Sequence, residues 1–301
     1  MVATLVRALV AVVISPLILL GVASVLPRNS KAAAMLSFVA RALTSVTALI
    51  VAACYGVVSS AVLRTVGHGG LSQWTTARAF KWMMWFGIGV SFVVVEGEEH
   101  LLERPAVFVG NHQTELDVLM LGCVFPKYCS VTAKKSLKYT PFLGWFMTLS
   151  KSVFIDRGNS KTARAAFDGA ASFMKNEKQS VYIFPEGTRS YAEGPELLPF
   201  KKGAFHLAVQ AQVPIVPIVV ANYSNVLSFK KKIFNSGVVP VKVLPPIHTK
   251  GLTAADVDRI TTQTRDSMLK SLQELAHSEK GEAVAMKASG ADHAPAVKKE
   301  L

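Results

Sequence analysis

The sequence predicts an α/β fold: a mixed, largely buried β-sheet flanked by helices and preceded by an N-terminal membrane-helix hairpin. Three observations lead there. Residues 1–63 are dominated by Ala, Val, Leu and Ile, and two stretches within them, Ala8 to Leu26 and Ala42 to Leu63, carry no charge. From about residue 103 short apolar runs rich in β-branched residues alternate with helical patterns, as in a sheet covered on both faces. Half of the 301 residues are hydrophobic, enough for a sizeable core in one large or two small units.

Each uncharged run approaches the roughly 20 apolar residues that cross a bilayer, so two spans are expected, joined by a loop carrying Arg28, Lys31 and Arg41. Arg7 ahead of the first run also fits a signal peptide, but the run is long for one and a second follows directly. A hairpin returns the chain to its starting side, which places the basic main domain and the N-terminus together in the cytosol. Trp82 to Val95 is uncharged for 14 residues, too short to span, and suits an interfacial helix or a buried core helix. The expected division is membrane helices over 1–80, an α/β domain over 81–277 with that entry helix, and a basic tail over 278–301.

Within the α/β domain the expected strands are Ala106–Val109, Ser130–Ala133, Val153–Ile155, Val181–Phe184, Ile215–Val220 and Val239–Val243. Expected helices are Glu115–Val124, Lys161–Lys175 and Gly203–Gln210. Thr253 to His277 reads as a final amphipathic helix, with Thr253 as N-cap and Val257, Ile260, Met268, Leu269, Leu272 and Leu275 on its apolar face. The tail has no periodicity and reads as disordered. Its last residues, Lys298-Lys299-Glu300-Leu301, resemble a dilysine retrieval signal of endoplasmic-reticulum membrane proteins, though a solvated lysine-rich tail reads the same way.

Lys and Arg total 33 against 20 Asp and Glu, a formal charge of +13, which favours an anionic partner. Beside apolar spans that partner is a lipid headgroup surface or a phosphorylated substrate. The chain has no zinc-finger, RNP-like or basic-zipper pattern, so nucleic acid is not expected. Cys54, Cys123 and Cys129 form no Cys-x-x-Cys pair and suggest neither disulfides nor zinc, consistent with a reducing compartment.

Four blocks carry chemistry. Val109-Gly110-Asn111-His112-Gln113-Thr114-Glu115-Leu116-Asp117 runs from a strand end into a helix start, where ligand and catalytic groups collect in α/β sheets. A histidine there suits a general base, and Asp117, about one helical turn on, suits the carboxylate that fixes its tautomer. Phe184-Pro185-Glu186-Gly187-Thr188-Arg189-Ser190 follows another strand and groups a carboxylate, a flexible glycine and a guanidinium suited to phosphate. Val153-Phe154-Ile155-Asp156-Arg157 supplies Arg157, a second candidate for an anionic headgroup. Val213-Pro214-Ile215-Val216-Pro217 is an apolar strand restricted by its prolines.

In order and spacing these blocks resemble the glycerolipid acyltransferase family, and within it the 1-acyl-glycerol-3-phosphate branch, over roughly residues 85 to 245. Ala133-Lys134-Lys135-Ser136-Leu137 and Pro141-Phe142-Leu143-Gly144-Trp145 resemble the same branch. The resemblance implies acyl transfer from acyl-CoA to lysophosphatidic acid at a bilayer, with no acyl-enzyme, metal or cofactor. His112 would be the base and Asp117 its orienting partner. Arg157, Arg189 and Lys134 would hold the phosphate, with Gly187 and Thr188 in the same binding loop. Glu186 would bind the glycerol or organise Arg189, and the Gly187 amide is a candidate oxyanion donor. Rival readings are an acyltransferase for glycerol-3-phosphate or a larger lysophospholipid, and a non-catalytic lipid-binding protein, for which a base is superfluous. A metallohydrolase built on His112, Asp117 and Glu186 lacks a second histidine at ligand spacing.

Overall fold

The structure, a computed structural model, describes residues 15–16, 18–22, 25–27, 30–156, 158–277 and 284–285. Most of the first expected span, Arg157 and nearly all of the tail lie outside the described residues. The second expected span is longer than its uncharged core. Helix α1 covers Lys31–Thr65, with Ser30 as N-cap, its hydroxyl oxygen accepting from the Ala32 amide at 3.2 Å. Lys31 and Arg41 therefore belong to a helix and not to a loop. The run Ala32-Ala33-Ala34-Met35-Leu36 consists of strong helix formers, and Arg41 turns inward, donating to Ile88 O at 2.6 Å and Ser236 Oγ at 3.0 Å. At 35 residues α1 is about 52 Å long, and it is long and apolar enough to cross a membrane. Its small residues Ala40, Ala48 and Ala52 are buried, while Val46, Val58 and Val62 stay more than half exposed.

The stretch Trp82 to Val95 is not a single helix of either expected kind. Helix α2, Ser72–Ile88, ends inside it, and strand β1, Val90–Glu96, begins two residues later. Between them Gly89 adopts φ 65°, the left-handed conformation that closes a helix, with its amide bonded to Trp85 O at 2.9 Å. The β-branched run that follows then pairs as a strand. Helix α2 crosses the boundary expected at residues 80 and 81, packing on α1 and on α3, Asp117–Val124. Arg78 fastens the latter contact by donating to Gly122 O at 2.7 Å and to Cys123 O, the last carbonyls of α3.

The remaining strands are β2 Val107–Gly110, β3 Cys129–Lys134, β4 Val153–Ile155, β5 Ser180–Ile183, β6 Ile215–Val220, β7 Leu227–Ser228, β8 Ile233–Phe234, β9 Gly237–Val243 and β10 Val284–Ala285. Between them lie α4 Leu143–Leu149, α5 Ser160–Glu177 and α6 Gly203–Ala211, and after β9 comes α7 Val257–His277. The main sheet runs β1-β9-β6-β2-β5-β3-β4. It is parallel except where β9 meets β6, and β10 pairs antiparallel with β9. The six expected strands and the helices after residue 103 fall within a few residues of observed ones. Strands β1, β7, β8 and β10 and helix α4 were not foreseen. Thr253 caps a short turn, Ala254–Asp256, through a reciprocal capping box with Asp256 before α7 begins.

Strands β5, β2 and β6 lie side by side at the centre, fully buried on both faces. Register pairs Val109 with Ile183 and Gly110 with Ile218. The segments that leave the carboxyl ends of these strands therefore emerge next to one another, though far apart in sequence.

Candidate active site

Asn111 fixes the first loop to the neighbouring strand: its side chain donates to Val220 O at 2.9 Å and accepts from Val220 N at 2.8 Å. The loop then turns so that Asp117, at the start of α3, faces back toward it. Asp117 is 1% exposed, and its Oδ2 lies 2.7 Å from His112 Nδ1. The same oxygen accepts from the Gln113 amide at 2.6 Å and the Thr114 amide at 3.2 Å. Oδ1 accepts from the Tyr223 hydroxyl at 2.6 Å. Both carboxylate oxygens are thus held by donors from two separate loops, which fixes the carboxylate and through it the imidazole. The His112 ring stacks on Phe184, with centroids 4.1 Å apart and planes at 21°. With Nδ1 committed to Asp117, the nitrogen left for a ligand is Nε2.

Tyr223 is a member of this cluster that the sequence reading missed. It is fully buried, and burial followed by the nearby Asp117 charge pushes its phenol well above the ordinary range, so it acts as a donor. It stands three residues past β6, and the rule that functional groups gather at carboxyl ends of strands was the signal available.

The second loop sits beside the first. Glu186 is 3% exposed, its Oε1 accepting from the His112 amide at 2.7 Å and its Oε2 from the Leu198 amide at 3.0 Å. Burial raises its carboxyl, and the two amides pull it back in part. Glu186 therefore ties the two loops together and forms no ion pair with Arg189. Gly187 takes φ 69°, and its amide donates to Phe184 O at 3.0 Å, so that amide is already engaged within the turn. Further along, the Ser190 amide donates to His112 O at 2.9 Å and the Tyr191 amide to Gln113 O at 3.1 Å. Arg189 points to Glu115 on the first loop, 3.0 Å away, and the Tyr191 hydroxyl donates to the same carboxylate oxygen at 2.8 Å.

His112, Thr188, Arg189 and Lys134 all line one cavity of about 560 Å³. Its remaining wall is largely apolar: Leu49 and Ala53 from α1, Phe80 from α2, Leu121 from α3, Phe146 and Met147 from α4. The arrangement offers a nitrogen base at the junction of a cationic rim and a greasy chamber, the shape of an amphiphile with a charged head. Of the sequence-predicted residues, His112 and Asp117 are in contact, Thr188, Arg189 and Lys134 line the cavity that His112 reaches, and Glu186 and Gly187 shape the loop behind. Arg157 is outside the described residues. Cys129 is fully buried and its thiol pushed well up by burial, which leaves it inert as a nucleophile.

The profile of the family described as Acyltransferase matches residues 92–221. A Saccharomyces cerevisiae protein named 1-acyl-sn-glycerol-3-phosphate acyltransferase is 44% identical over 238 residues, 79% of this chain and 78% of that one. The human 1-acyl-sn-glycerol-3-phosphate acyltransferase beta is 42% identical over 205 residues, 68% of this chain and 71% of that one. Among solved structures, the 1-acyl-sn-glycerophosphate (LPA) acyltransferase PlsC of Thermotoga maritima superposes with a TM-score of 0.61 at 23% identity, covering 74% of this chain and 88% of that one, which shows a shared fold.

Proposed function

The chain belongs to the acyltransferase family, and on that premise we propose that it transfers a fatty acyl group from acyl-CoA to the sn-2 hydroxyl of 1-acyl-glycerol-3-phosphate, forming phosphatidate for phospholipid synthesis. The observation that carries this reading is the 2.7 Å contact of His112 Nδ1 with the buried Asp117, at a cavity whose rim holds Arg189 and Lys134 and whose body is apolar. His112 Nε2 takes the proton of the acceptor hydroxyl as its oxygen attacks the thioester carbon. The tetrahedral species collapses, the carbon–sulfur bond breaks, and the imidazolium returns the proton to the departing thiolate. Asp117 holds the ring and balances its charge in between. A thioester is already activated, so a positioned base worth roughly 10²–10⁴-fold and an aligned hydroxyl suffice, and the chemistry calls for no metal. Arg189 takes the acceptor phosphate with Lys134 and Thr188 nearby, and Arg157 is a further cation for it.

The exposed apolar face of α1 supports residence in a bilayer, and the basic main domain together with the C-terminal lysines supports an endoplasmic-reticulum membrane with the active domain in the cytosol. The deciding assay presents purified protein with labelled oleoyl-CoA and a panel of lysophosphatidate, glycerol-3-phosphate and lysophosphatidylcholine. Preferred labelling of lysophosphatidate is the expected result; equal labelling of lysophosphatidylcholine would remove the phosphate-monoester requirement and with it the reading.

A further inference from the structure

Resting on that reading, which needs a donor as well as an acceptor, we propose that a second cavity, beside the hairpin of β7 and β8, receives the phosphorylated nucleotide end of the CoA thioester, with Lys230 of its wall and Lys232 of the adjoining hairpin tip supplying positive charge. This cavity measures about 490 Å³, and Gln113, Glu115, Tyr191, Leu227, Phe229 and Lys230 are among its walls. It shares a wall residue, Tyr191, with the first cavity. Gln113 directly follows His112, so one loop floors this cavity and carries the imidazole of the other. A thioester lying across that seam would present its carbonyl to His112, its acyl chain to the apolar chamber and its water-soluble end to the hairpin.

The chemistry of the walls fits such a ligand. Tyr191 and Phe229 meet edge to face at 6.3 Å and remain 50% and 40% exposed, leaving aromatic surface for an adenine ring or the pantetheine arm. Lys230, Lys231 and Lys232 are all exposed at the hairpin tip. Of the two carboxylates of the wall, Glu193 is paired with Lys231 at 3.1 Å, and Glu115 is paired with Arg189 at 3.0 Å before an acceptor binds. Lys230 and Lys232 form no ion pair among the described residues, so the tip presents net positive charge to a polyanion. The Lys232 ammonium lies over the Phe38 ring of α1 at 5.8 Å, which pins the tip beside the helix proposed to enter the bilayer.

The test uses the full chain in phosphatidylcholine vesicles and a Lys230→Glu/Lys232→Glu variant, with Lys231 left to hold Glu193. The variant should raise KM for oleoyl-CoA about tenfold while KM for lysophosphatidate and turnover of oleoyl-pantetheine, which lacks the nucleotide, stay within about twofold. Unchanged oleoyl-pantetheine turnover also certifies that the hairpin is folded. An unchanged KM for oleoyl-CoA, or an equal loss with both thioesters, would overturn the site. So would a variant that, in a parallel sedimentation assay with phosphatidylserine vesicles, loses only its attachment to them, which would assign the lysines to the membrane surface. Failure of the unmutated protein to use oleoyl-CoA is a different result: it removes the parent reading, and it is seen before any variant is made.

Discussion

The two ends of the main cavity are held in opposite ways. At the imidazole end Asp117 is 1% exposed, and its oxygens are met by His112, two backbone amides and Tyr223, all within 3.2 Å. At the cationic end the Arg189 and Glu115 side chains are 40% and 45% exposed and share a single ion pair. A proton acceptor works only at a fixed angle and distance, so its support is buried and over-determined. On the proposed role, a headgroup grip must close on a phosphate and let it go, which suits a resting partner that is exposed and weakly held. The contrast predicts that substitutions at the first end change kcat and those at the second change KM.

Leaving the imidazole itself aside, the largest effect is expected at Asp117. Asp117→Asn keeps the shape but loses the carboxylate that selects the tautomer, and kcat should fall by about 10²–10³-fold with acceptor KM little altered. A variant with normal kcat and raised KM would erase the distinction between the two ends. Next, Arg189→Ala should raise KM for lysophosphatidate about tenfold and leave KM for oleoyl-CoA alone; equal shifts for both substrates would deny it the headgroup. Glu115→Gln sharpens the comparison from the other side. By freeing Arg189 it should lower acceptor KM about twofold to threefold, and a rise would show that Glu115 assists binding.

The smallest effect concerns stability. Burial lifts the Glu186 carboxyl above its ordinary value of 4.5, so the folded protein holds that proton more tightly than the unfolded chain. This group's contribution is complete below 4.5 and fades as pH rises through the raised value. Melting of the wild type in detergent should therefore fall over that window relative to Glu186→Gln, whose amide does not titrate. Parallel profiles for the two proteins would count against a buried, raised carboxyl.

Where the sequence was legible, one physical signal dominated. Strands β2, β5 and β6 are short, buried runs rich in β-branched and aromatic residues, and it is their length and their polar or Gly/Pro flanks that mark them as strands. Trp82 to Val95 misled because an apolar run carries no periodicity that separates helix from strand, and the division turns on Gly89 alone. Lys31 and Arg41 looked like loop residues because charge in an apolar region suggests a turn, whereas Arg41 finds its partners on Ile88 and on Ser236, far along the chain. In the site, His112 and Asp117 are five residues apart and one turn brings them together, so local spacing was enough. The Glu186 contact to the His112 amide and the Tyr223 contact to Asp117 span 74 and 106 residues and depend on strand order. That order puts β5, β2 and β6 side by side, and no local pattern encodes it.

The most direct test of His112 as the base is a single-turnover measurement on His112→Ala, with lysophosphatidate and oleoyl-CoA both saturating in vesicles. Phosphatidate formation should slow by about 10²–10⁴-fold while lysophosphatidate still binds with near wild-type affinity. Phosphatidate appearing at the wild-type rate would contradict the account.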